Sequence, residues 1–150
     1  MTELNLDAIT AWHGVNGVSG KPGATELAMR LIDEEYKEVK EAESPAHIAQ
    51  EAADLIFVCV NLIYQLGYDP TLVTKYITKC NYSKFFSKEN WDNHKSTIKK
   101  YCSDNNCQVF EVADNILCIK DANGKLKKGP FYEQVDFKQI EKYEIPSDTD

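Results

Sequence analysis

The sequence predicts a mainly α-helical fold, four to five helices with a small β-hairpin appendage at the C-terminal end. Three observations lead there. Apolar residues recur at helical spacing through the first hundred positions, Ser44-Pro45 and Asp69-Pro70 supply helix starts, and the period turns strand-like only from Gln108. The 150-residue chain is long enough to bury its own core but small for a deep cleft, so oligomerisation is open from the outset. Its 43% hydrophobic and 27% charged residues suit a globular protein.

The first helix is expected from about Leu6 to Val15, ending in the turn-forming stretch Gly17 to Gly23. The second starts near Thr25, a capping residue, and runs to about Glu43 on Leu27, Leu31, Ile32, Val39 and Ala42. Ser44-Pro45 caps a third helix that ends at Gly67. Asp69-Pro70 opens a fourth, reaching about Phe86, and a fifth runs from about Glu89 to Tyr101. Beyond it Val109, Phe110 and Val112, then Ile116 to Ile119, are β-prone, and Asp121-Ala-Asn-Gly124 supplies turn residues for a hairpin or three-stranded appendage. Residues 146–150 are expected to fray. The division expected is an all-α domain over 1–103 and a β-containing extension over 104–150.

The N-terminal MTELNLDAIT lacks the basic and apolar regions of a signal peptide, which points to the cytoplasm. The apolar stretch from Leu55 is interrupted by Asn61 and Gln65, too short an uninterrupted run to predict a membrane span. Five cysteines without a CxxC pair suggest free thiols rather than a zinc knuckle. A net charge of -7 argues against a general nucleic-acid binder. Residues 1–74 carry 12 Asp and Glu against 4 Lys and Arg, and residues 75–150 carry 12 against 13. That asymmetry suits a site holding a cation and, through it, a polyphosphate, although two solvated surfaces would give the same counts.

The most informative feature is where the second helix puts its acids. At about 100° per residue, Glu35 falls near the centre of the apolar arc and Glu38 to one side of it, while Asp33, Lys37 and Lys40 lie opposite. A carboxylate aimed at a core is penalised by desolvation unless something positive compensates it. The third helix is apolar over most of its circumference, with a narrow stripe of Gln50, Glu51, Asp54, Asn61 and Gln65. Such a helix is central in the fold or lies at an interface. Glu35/Glu38 and Glu51/Asp54 are both spaced i, i+3, so each pair can aim two carboxylates at one point. Four hard oxygen donors favour Mg²⁺, with Mn²⁺ as a substitute, over zinc. Taken singly, either pair is the solvated edge of a helix. Their joint occurrence tips the balance toward a site.

Glu35-Tyr36-Lys37-Glu38 followed by Glu51-Ala52-Ala53-Asp54 resembles the ExxE…ExxD motif of the all-α NTP pyrophosphatases, which include MazG, dimeric dUTPases and phosphoribosyl-ATP pyrophosphohydrolase. The resemblance spans roughly Leu6 to Phe86 and implies a MazG-like bundle in a homodimer or homotetramer. It further implies Mg²⁺ bound by Glu35, Glu38, Glu51 and Asp54, and cleavage of a nucleoside triphosphate between its α- and β-phosphates. Glu34 matches an acidic residue that often precedes the first motif; it or Glu38 would orient or deprotonate the attacking water. Asn81-Tyr82-Ser83-Lys84-Phe85 resembles an Asn-x-x-Lys-Phe segment that contacts phosphate or sugar. On a helical projection Lys84 falls inside an apolar arc, where it would need an anionic partner or would snorkel outward. Trp12 and His13 resemble positions that contact a base, though a lone tryptophan is more often core. Residues 108–137 look like an extension found in a phosphoribosyl-ATP pyrophosphohydrolase-like branch. Two other readings stay open: phosphoribosyl-ATP as substrate, and a non-catalytic helical module that binds a divalent ion or a partner. A di-iron bundle is disfavoured by the lack of Glu-x-x-His.

Overall fold

A computed structural model describes residues 6–16 and 22–146 of the chain. They form a mainly α fold of six helices and a small antiparallel sheet: α1 (Leu6–Asn16), α2 (Ala24–Glu41), α3 (Pro45–Gln65), α4 (Pro70–Tyr82), β1 (Phe86–Ser87), α5 (Lys88–Asn105), β2 (Cys107–Ala113), β3 (Ile116–Asp121) and α6 (Phe137–Glu141). Two compact units result, one of residues 1–74 with 137–150 and the other of residues 75–136, the division falling within α4.

In the first unit α3 packs along α2 and is flanked by α1. Helix α3 starts as its sequence dictates: the Ser44 hydroxyl accepts the His47 backbone N–H at 3.1 Å, and Pro45 occupies the first turn. Helix α2 does not start on a Thr25 cap. Gly23 takes that place with φ 83°, a left-handed conformation that costs glycine little, and its carbonyl accepts the Leu27 N–H at 2.9 Å. The Asp69 carboxylate accepts the Thr71 N–H at 2.9 Å and so caps α4. The backbone of residues 67–69 is tied down by the segment after α6, a short helix with no counterpart in the sequence reading: Ile145 N–H donates to Gly67 at 2.7 Å and Asp69 N–H to Tyr143 at 2.9 Å. The Gly17–Gly23 loop lies outside the described residues apart from positions 22 and 23, as do residues 147–150 of the tail.

The apolar surface of α3 is inverted with respect to a single chain. Its buried residues are Glu51, Val58, Val60 and Asn61, while Ile48, Ile56 and Cys59 are exposed. By length and composition α3, with a mean hydropathy of 1.4, is apolar enough to cross a membrane, because an average over the helix absorbs the interruptions at Asn61 and Gln65. It also carries Glu51 and Asp54 and packs along α2.

The second unit has its own core. Phe86, Ile98, Cys107, Leu117 and Ile119 are buried together, with Trp91, Tyr101, Val109 and Phe131 packed around them. Helix α5 therefore belongs with the sheet, whereas the sequence division at 103/104 grouped it with the preceding helices. The strand order is β1-β3-β2, with Phe86 opposite Leu117 and Val109 opposite Ile119. Phe86 was expected to end the fourth helix. Instead α4 stops at Tyr82, and Phe86 is buried as an edge-strand residue opposite Leu117. The Asp121–Gly124 turn forms as predicted, with the Asp121 carboxylate accepting the Asn123 and Lys125 N–H groups, each at 2.9 Å. All five cysteines are free. Burial, reinforced by the neighbouring Cys107, pushes the Cys102 thiol up to about 11, which keeps it protonated and unreactive at neutral pH.

Ile119 is fully buried at the centre of this second core. Ile119→Ala is expected to destabilise the unit by about 2–5 kcal/mol, the usual loss for a buried isoleucine. Urea unfolding followed by Trp91 fluorescence in a Trp12→Phe background measures it; a loss below about 1 kcal/mol would mean that the sheet does not carry this core.

Candidate metal centre

The inward acids of α2 meet the start of α3. Carboxylate oxygens of Glu35, Glu38 and Glu51 all lie within 4.8 Å of one another. Glu51 is buried, Glu35 half-buried and Glu38 exposed, so the group opens from the helix–helix seam toward solvent. Asp54, one helical turn after Glu51, lies outside that tight trio and is exposed, yet its charge reaches Glu35. Glu34 is exposed on α2 and is not one of the three.

The trio is short of positive charge. Glu35 Oε2 is buried with no hydrogen-bond partner among the described residues. Desolvation first, then the charge of Glu38, the charge of Asp54, a hydrogen bond to the Glu38 side chain and the charge of Glu51 hold the Glu35 carboxyl above its ordinary range. Two carboxyl groups share a hydrogen bond only when one is protonated, so that contact belongs to the protonated form and leaves the ionised Oε2 without a donor. Lys37 and Lys40 turn away: Lys37 lies 3.8 Å from Glu41, and Lys40 sits over the Tyr36 ring. Glu35 is thus not neutralised by a lysine of its own helix.

One neighbour of the trio was not read from the sequence. His47 Nε2 lies 2.9 Å from Glu51 Oε1. The signal was present as a His–Glu pair at i, i+4 in the first turns of a capped helix.

Farther along α3, the rings of Trp12, His13 and Phe57 form a cluster with centroids 4.9 Å apart. His13 is the buried member, 3% exposed, and its Nε2 meets the Phe57 carbonyl at 3.1 Å, while Trp12 is 54% exposed. Burial lowers the His13 pKa, partly offset by that carbonyl, so the ring is held neutral and donates Nε2–H. The expectation that the tryptophan is the core residue is reversed here.

Asn81 and Lys84 lie in the second unit. Asn81 is exposed and its amide donates to the Ile77 carbonyl at 3.0 Å. Lys84 sits beyond α4, in a turn whose backbone N–H donates to Asn81 at 3.1 Å, so the helical projection that put its side chain on an apolar arc does not apply.

Residues 19–81, which include both carboxylate pairs and Asn81 but not Lys84, match the family model described as phosphoribosyl-ATP pyrophosphohydrolase. Residues 19–81 thus carry the likeness to the all-α NTP pyrophosphatase superfamily, of which that family is a member. The members of that family are pyrophosphohydrolases, hydrolases acting on phosphorus-containing anhydrides, and are typically divalent-metal dependent. No curated protein and no solved structure matches the chain. The match ends before the sheet, so the second unit lies almost wholly outside the region shared with the family.

The raised pKa of Glu35 has a measurable sign. The folded chain keeps this proton to a higher pH than the unfolded chain does, so its contribution to metal-free stability is present at acid pH and is lost as pH rises through the raised value. Glu35→Gln mimics the protonated acid. In EDTA its melting temperature should match wild type at acid pH and exceed it increasingly as pH rises above the ordinary carboxylate range. A difference that stays constant with pH would show that Glu35 is not penalised for ionising.

Proposed function

We propose that the chain is a magnesium-dependent nucleoside triphosphate pyrophosphohydrolase that releases a nucleoside monophosphate and pyrophosphate. The observation that carries this reading is the trio Glu35, Glu38 and Glu51, with its buried, partnerless oxygen on Glu35, inside the region that matches the family. The donor set fits Mg²⁺ or Mn²⁺: every donor is a carboxylate oxygen, and one of them lacks any other partner. Glu35, Glu38 and Glu51, with Asp54 beside them, would hold the ion. When bound, it would offset charge on the triphosphate oxygens.

The chain's own groups supply the rest. An exposed acid, Glu38 or Glu34, orients a water toward the α-phosphorus and takes its proton. The water oxygen forms a bond to the α-phosphorus, the bond from that phosphorus to the α,β-bridging oxygen breaks, and pyrophosphate leaves with the electron pair. Exposed Trp12 offers a ring face for stacking on a base, and His13 supports it from behind. Asn81 and Lys84 are proposed to meet phosphate or sugar. A second reading takes phosphoribosyl-ATP as the substrate, and the description of the matched family favours it. The exposed apolar side of α3 supports a homodimer or homotetramer, since only 22% of its apolar window is buried within one chain.

A panel of NTPs, dNTPs and phosphoribosyl-ATP with Mg²⁺, assayed for pyrophosphate, tests the substrate class. Preference for a common nucleotide supports the first reading, and turnover of phosphoribosyl-ATP alone overturns it. Asp54→Asn is expected to abolish nearly all turnover and most of the Mg²⁺-induced rise in melting temperature while leaving the metal-free chain no less stable. Glu41→Gln should change neither. If Asp54→Asn keeps both, Asp54 is not part of the site. Light scattering at micromolar concentration should report an oligomer; a strict monomer would mean that the α3 face is not an interface between copies.

A further inference from the structure

The hydrogen bond at Glu51 points to a residue with a distinct task. Glu51 is the buried member of the trio, and its side chain retains only 10% exposure; His47, at 51%, covers it from the solvent side. The two lie one turn apart on α3, and the Ser44 cap that accepts the His47 backbone N–H fixes the turn from which the imidazole projects. A carboxylate accepts but does not donate, so beside an ionised Glu51 the His47 ring must present Nε2–H. At 2.9 Å that bond occupies Oε1 and restrains rotation of the carboxylate. Glu51 also gives one carboxylate oxygen to the trio with Glu35 and Glu38.

We propose that His47 is a positioning residue: its Nε2–H holds Glu51 so that one carboxylate oxygen faces the trio, and this raises the affinity of the site for a divalent cation. The inference rests on the reading of the trio as a metal centre. Outer partners of metal-ligating groups act in this way, and their loss typically costs about 10–100-fold in metal affinity. Without His47, Glu51 is free to rotate, or to turn outward and relieve its repulsion with Glu35 and Glu38, and that freedom must be lost again on binding.

The test uses the full chain with Mg²⁺ alone as the probe. Binding is measured by isothermal titration calorimetry for wild type, His47→Ala and His47→Gln, beside melts in EDTA. The glutamine amide nitrogen lies as many bonds from Cα as Nε2 does, so it can make the same donation without being an imidazole. His47→Ala should bind Mg²⁺ about 10–100-fold more weakly than wild type, while His47→Gln recovers most of the affinity and both keep the wild-type melting temperature in EDTA. Equal affinity of His47→Ala and wild type would overturn the inference and leave the metal centre standing. Equal weakness of the alanine and glutamine variants would overturn it too, since it would make the imidazole itself a ligand. A matching loss of metal-free melting temperature in His47→Ala would reduce the role to helix stability. No Mg²⁺ binding by wild type would remove the metal centre and the inference with it.

Discussion

Carboxylates held side by side in partly buried surroundings repel one another and lose hydration, and a fold tolerates that only if packing elsewhere sustains it. Here the seam between α2 and α3 does so. The helices pack along each other, and buried Ala28 lies before Glu35 on one while buried Val58 lies after Asp54 on the other, so apolar positions flank the acids in sequence. The cost is concentrated on Glu35, whose carboxyl is raised by desolvation first and then by the three acids around it, with Lys37 and Lys40 of its own helix turned to other partners. A structural ion pair would have been arranged the other way, with charge balanced within the chain. Uncompensated charge at this seam fits a centre that receives its counter-charge from solution.

The same constraint bears on the polarity of α3. With Glu51 and Asn61 turned inward, its aliphatic residues have few places left to go except outward, and Ile48, Ile56 and Cys59 are exposed in consequence. The second unit is built on different terms, from a sheet and a kinked helix around Ile98 and Ile119, with non-helical torsion angles at His94 within α5. Its core contains no ionised group.

The helices around the acids were legible because local chemistry decides them. Ser44-Pro45 sets the start of α3 and Asp69-Pro70 that of α4, and the i, i+3 spacing puts Glu35 and Glu38 on one side of α2, where they meet Glu51. The contacts that sequence reasoning missed are made across the chain. Phe86 reads as one more helical apolar residue until Leu117, thirty-one positions later, pairs with it. Helix α5 looks like a member of the bundle until the sheet that covers it is known. Trp12 and His13 are neighbours, and the buried one, His13, meets the Phe57 carbonyl forty-four positions on. His47 was overlooked because a histidine near a helix start has no meaning until the carboxylate four residues on is known to face inward.

The link between α2 and α3 is only Ala42, Glu43 and Ser44, yet the two halves of the site tolerate change there differently from change within the helices. Each acid pair owes its aim to the phase of its own helix, and α3 takes its phase from the Ser44 cap. An extra residue between Glu41 and Ser44 lengthens an exposed connection and leaves both phases intact. The same residue inserted between His47 and Glu51 would rotate everything after it by about 100° and swing Glu51 and Asp54 off the seam. By this geometry the connection can absorb a length change that neither motif can.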